Sequence, residues 1–210
     1  MSRKYMSPEA IEEKSMAIIE KEIKNLHCSF EERQIIKRVI HTTVDVDFGK
    51  SLIFHAKAIE IGLRAIKKGK TIVTDVHMVK SGIRAYDLKE FGNNILCFFD
   101  KDKKEPNPDN IPRAVLAMRK AGKSLNDSIV AIGNAPTALF ELIDMVKSGD
   151  VKPALIIGMP VGFVGAAESK EELQQLDIPY ITINGRRGGS TVAAAILNAL
   201  IKIVKGYEQT

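Results

Sequence analysis

Pro153-Ala-Leu-Ile-Ile-Gly158-Met-Pro-Val-Gly162-Phe-Val-Gly165-Ala-Ala-Glu-Ser-Lys170 begins as a continuous apolar run, breaks on glycines and a proline, and resumes with helix-forming residues. Continuous rather than alternating apolar character marks a strand covered on both faces. The glycines fall where the next helix should start. There the main chain can approach a ligand without a Cβ in the way, and free N–H groups attract anions.

Four more apolar runs share this character: Thr71–Asp75, Ile95–Phe99, Ile129–Gly133 and Tyr180–Asn184. Together with Ala154–Gly158 they predict a five-stranded parallel sheet in an α/β domain spanning 71–210. Helices are expected at 111–121, 134–148, 165–175 and 188–204, with a shorter one after Asp75. Pro112 near one start, and Ala193, Ala194, Ala195, Leu197 and Leu200 along the last, fit that reading. Residues 1–70 read as a helical extension packed on the body, with helices at 8–25, 30–43 and 50–68 and no strand between them. Ser7-Pro8 opens the first, and Ser51 is placed to cap the third. Residues 101–110 read as a polar surface loop.

The chain has 210 residues, 45% hydrophobic and 27% charged, which suits a single domain with a sizeable core. Its net charge of +5 is spread along the sequence, with 6% aromatics and no Trp. That favours a small anionic ligand over nucleic acid, whose binding platforms interleave aromatics with positive charge. No apolar run is long enough for a membrane span and the N-terminus lacks a signal-peptide core, so a soluble cytoplasmic protein is expected. Cys28 and Cys97 show no metal or redox spacing and read as reduced core thiols.

In an open parallel sheet, ligands bind outside the carboxyl ends of the strands. The unusual sequence lies there: Asp75-Val-His-Met-Val-Lys-Ser-Gly82, Gly133-Asn-Ala-Pro-Thr137, the Gly158 stretch, and Asn184-Gly-Arg-Arg-Gly-Gly-Ser190. The glycine spacing matches neither the dinucleotide fingerprint nor the P-loop. Arg186 and Arg187 beside open amides suit carboxylates or phosphates.

Among the histidines, His27 and His55 read as structural. His41 ends a helix, where the carbonyl end attracts a cation, and is a station for a general acid. His77 lies in a segment like the D-x-H-x-x-G of cobalamin-binding domains, but the spacing to Gly82 is longer and the later glycine signature is absent. A metal site drawn from His41, Asp45, Asp47 and His55 has nothing to fix its geometry. A corrinoid carrier using His77 as cobalt ligand and a flavin-type binding module are the competing readings.

Asn134-Ala-Pro-Thr-Ala-Leu-Phe140, the Gly158–Lys170 stretch and Gly185-Arg-Arg-Gly-Gly-Ser190, with Asp75, Met78, Val79 and Gly82, resemble the precorrin-8X and cobalt-precorrin-8 methylmutase family. The resemblance implies a flavodoxin-like three-layer fold, a homodimer, and an isomerase of cobalamin biosynthesis. That isomerase moves a methyl group from the eleventh to the twelfth carbon of an anionic tetrapyrrole. It also implies no cofactor beyond cobalt carried by the substrate. The family's catalytic histidine falls on His41, in Arg38-Val-Ile-His41, and its early serine on Ser15. The implied substrate contacts are Ser15, Arg38, Thr42, Asp75, Met78, Asn134, Pro136, Thr137, Gly162, Phe163, Val164, Arg186, Gly188, Gly189 and Ser190. Thr43-Val44 departs from the small residue or glycine often found after the histidine, and Lys14 stands where arginine often precedes the serine.

Overall fold

The computed structural model describes residues 6–99 and 109–206. The chain opens with α1 (Pro8–Glu22), α2 (Phe30–Thr43), α3 (Val46–Lys50), a short strand β1 (Leu52–Phe54) and α4 (Ala58–Lys67). It continues through β2 (Ile72–Thr74), α5 (His77–Gly82), β3 (Ile95–Cys97), α6 (Arg113–Ala121) and β4 (Ile129–Ile132). α7 (Pro136–Lys147), β5 (Leu155–Gly158), α8 (Ala166–Leu173), β6 (Tyr180–Ile183) and α9 (Ser190–Val204) complete it. The loop expected at 101–110 falls almost wholly outside the described residues.

The expected strands sit within a residue or two of their predicted positions, yet the sheet has six strands rather than five. Its order is β1-β6-β5-β4-β2-β3, with β1 antiparallel to β6 and every other pair parallel. The sheet is therefore mixed. The helix expected over 50–68 is corrected as well: Ser51 ends α3, residues 52–54 pair with β6 in the register Leu52↔Ile183, and α4 begins only at Ala58. Tertiary pairing decides this segment, because three residues are too few for periodicity to separate strand from helix. The His55 amide extends the pairing by donating to the Tyr180 carbonyl (2.9 Å), and the two rings meet edge to face.

Local chemistry fixes the ends of α2. Ser29 and Glu32 form a reciprocal capping box, and Val44 stops the helix in the left-handed region at φ 54°. Ile35, Ile36, Val39 and Ile40 give α2 an apolar stripe. It joins one core cluster with α1, α4, α9 and the strand residues Ile72, Ile129, Leu155 and Ile181. On the other face of the sheet Val73, Val130, Ile132 and Ile156 pack with α6, α7 and α8. Alternate strand residues thus feed two cores, and helices cover both faces. No helix of the described residues is long and apolar enough to cross a membrane.

Candidate active site

The loops leaving β2, β4, β5 and β6 meet at one edge of the sheet, bound together by main chain and by one carboxylate. β2 and β4 are neighbours, although the chain visits β3 between them, so strand order reverses at this pair. Asp75, fully buried at the end of β2, spans the reversal: it accepts from the amides of Gly133 (3.0 Å), Asn134 (2.8 Å) and Ala135 (3.0 Å). Burial pushes its carboxyl above the usual range, while the three amides pull it down. The amides entering α7 already hold an anion from the protein itself. Asp75 is in place to hold two loops together, and its oxygens are turned inward.

Close backbone approach joins the other loops. Met159 donates to the Ile132 carbonyl and Gly189 to the Met159 carbonyl, both at 2.8 Å. A Cβ on Gly188 would lie 2.4 Å from the Pro160 carbonyl oxygen, and one on Gly133 would lie 2.7 Å from Ser190 Cα. These glycines are thus required for contact between loops. Gly162 faces open space, and its amide donates to the Arg186 carbonyl (3.2 Å). Beyond it Phe163 and Val164 stand 85% and 88% exposed, with Val161 and Met78 also exposed. The edge therefore presents an apolar surface with Arg186 beside it, 5.9 Å from the Phe163 ring.

The two arginines differ. Arg187 donates to Asp45 (2.6 Å), lies 4.9 Å over the Phe48 ring, and its carbonyl accepts from the buried Lys170 ammonium (2.5 Å). Lys170 is pushed down to about 8 by desolvation. Arg187 thus bolts the Gly185–Ser190 loop to the corner after α2. Asp45 also caps α3 by accepting from Phe48.

That corner carries His41, half-buried in the last turn of α2. Around it, Arg38 donates to Glu12 (3.0 Å), and Lys202 of α9 lies 3.7 Å from the same carboxylate. The Arg38 hydrogen bond holds Glu12 below the usual carboxylate range despite partial desolvation, with smaller pulls from Arg38, Lys202 and His41 charges. Ser15 is half-buried one turn along α1, its hydroxyl donating to Ile11, and Thr42 donates to Arg38 in the same way. Asn134 and Thr137 are exposed at the start of α7, where Pro136 occupies the first turn, and Ser190 is buried at the start of α9. The expected contacts thus fall into two groups, the loop edge and the α1–α2 corner, joined by the Arg187–Asp45 pair. His77 is exposed at the start of α5, and no three His, Cys, Asp or Glu side chains among the described residues gather as a metal site.

A family model described as precorrin-8X methylmutase matches residues 10–203. The chain belongs to the precorrin-8X methylmutase family. It is 47% identical over 197 residues to a Priestia megaterium protein named cobalt-precorrin-8 methylmutase, covering 93% of this chain and 88% of that one. It is 38% identical to a Sinorhizobium sp. protein named precorrin-8X methylmutase, covering 92% and 93%. The crystal structure of a Thermus thermophilus precorrin-8x methyl mutase superposes with a TM-score of 0.83 at 36% identity, covering 94% of this chain and 98% of that one. Within this methylmutase-family chain, sequence reasoning missed the joint roles of Asp45, Phe48 and Arg187. Asp45 entered only as a member of a metal set with nothing to fix its geometry, because the short α3 that it caps was not expected, and Arg187 could not be told from Arg186 until its partners were in place.

Proposed function

We propose that this isomerase acts on the corrin precursor named in its family, moving a methyl group from the eleventh to the twelfth ring carbon, with His41 as proton donor and acceptor. The observation that carries the reading is the Arg187–Asp45 clamp, which holds the end of α2 that bears His41 beside the loop edge. Such a migration changes no oxidation state. Protonating a ring nitrogen draws electron density from the conjugated path and lowers the barrier, and the same proton is returned when the product forms. One acid and a shaped pocket are sufficient machinery.

Exposed Phe163, Val164, Val161 and Met78 suit the apolar face of a macrocycle, and Arg186 suits one of its acetate or propionate arms. The five parallel strands run β3-β2-β4-β5-β6, the 2-1-3-4-5 winding that supports the flavodoxin-like reading, with the site at its switch point. A cytoplasmic homodimer without a resident cofactor completes the proposal. The apolar edge, with Phe163 and Val164 uncovered, supports a second copy closing over the macrocycle.

The test is turnover of purified protein with the precursor, with and without ring cobalt, followed by visible absorption. His41→Ala is expected to bind the tetrapyrrole and lose turnover by about 10²- to 10⁴-fold, with His77→Ala close to wild type. A His41→Ala protein that turns over normally sinks the assignment. Loss of tetrapyrrole binding confined to His77→Ala restores the carrier reading.

A further inference from the structure

The end of the sheet opposite the loops holds a cavity of about 550 Å³, between α4 and the starts of β2, β4 and β5. Ile61, Ala65, Pro153 and Pro179 contribute apolar wall. Arg64, Lys68, Lys70 and Lys152 line it against one carboxylate, Asp127. Lys70 pairs with Asp127, and Arg64 is 3.7 Å from Glu60 on the exposed face of α4. Lys68 and Lys152 meet no carboxylate among the described residues.

The rim is built from tied backbone. Asp127 stands at φ 54° and donates its amide to the Lys152 carbonyl (2.9 Å), while the Lys152 amide donates to Asn126 Oδ1 (2.7 Å). The carbonyl end of α4 accounts for cations on that helix. Lys70 and Lys152 enter instead from the strand starts, which concentrates like charge around one concavity. Its volume lies in the range of small-molecule sites. No aromatic ring among the described residues lines it, so none of them would stack a base or a macrocycle.

We propose that this cavity binds a compact polyanion of the phosphate class, either a free phosphate species or a phosphate ester. The Arg64 fork can take two oxygens of one phosphate, while Lys68 and Lys152 supply ammonium groups to the remaining charge. Binding here is separate from the chemistry at the opposite edge.

Titration calorimetry of the full chain with pyrophosphate tests this, at low and at physiological salt. One saturable site per chain is expected, weakened at least tenfold in Lys152→Glu and weakened further by salt, with Arg186→Ala unchanged. Arg186→Ala is the necessary control because Arg186 is the cation proposed to meet an anionic arm at the loop edge. Absence of saturable binding overturns the proposal, as does weakening confined to Arg186→Ala or equal in both variants. Should Lys152→Glu fail to fold, Lys152→Gln with Lys68→Gln carries the same expectation. A glycerol phosphate probe separates the two sources: tighter binding than inorganic phosphate assigns the site to an ester, and equal or weaker binding to the free anion.

Discussion

A carboxylate without solvent contact persists at position 75 because three amides surround it. In Asp75→Asn one acceptor oxygen is replaced by an NH₂ group that would face N–H donors. Stability is expected to fall by about 2 kcal/mol, read as a urea midpoint. Lys170 tests burial with the opposite charge. Unfolded, its ammonium holds a proton up to about 10.5; folded, only up to about 8. Between these values the unfolded chain binds more protons, so stability rises with pH there, and below about 8 the cost of the buried charge is fully present. Relative to Lys170→Met, wild type should gain stability between about pH 7.5 and pH 9.5; parallel midpoints at the two values would show that Lys170 titrates normally. Sequence could mark both residues as polar and near the glycines. It could not show that their charges face inward, since that depends on backbone donors and acceptors from other loops.

The strand-loop-helix units were legible because the parallel strands are short and apolar, and β4, β5 and β6 run into glycine or proline within two residues. The loop edge followed from their shared polarity along the chain. What sequence hid was contact between elements: Leu52–Phe54 becomes a strand only because β6 has a free edge, and Gly188 is needed only because Met159 and Pro160 lie against it. Gly188→Ala should therefore push the β5 and β6 loops apart. A loss of about 1 to 3 kcal/mol is expected, with weaker tetrapyrrole binding in an absorption titration. Gly149→Ala is the comparison, since it meets no neighbouring atom but stands at φ 82° and is strained by conformation alone. Unaltered tetrapyrrole binding by Gly188→Ala would show that the contact does not shape the site.

Across the whole molecule, the first third is built into the fold. Ile19, Ile23, Ile35, Val39 and Ile40 share one core cluster with Ile196, Leu197 and Leu200. Deletion through residue 57 removes β1, bares the edge of β6, and uncovers the face of α9 against which α2 packs. The shortened chain is expected to lose cooperative thermal unfolding and to aggregate; a sharp transition near the wild-type temperature would show that 58–210 stands alone.

The pairing of β1 with β6 also sets an order of events during synthesis. The apolar stripe of α2 leaves the ribosome long before Tyr180–Ile183 and α9 exist to cover it, an interval on the order of ten seconds. For that time the nascent N-terminal third has only its own helices for cover and lacks α9. The helices that later hold the proposed acid are thus the natural foothold for a chaperone, and this core can close only once α9 has emerged.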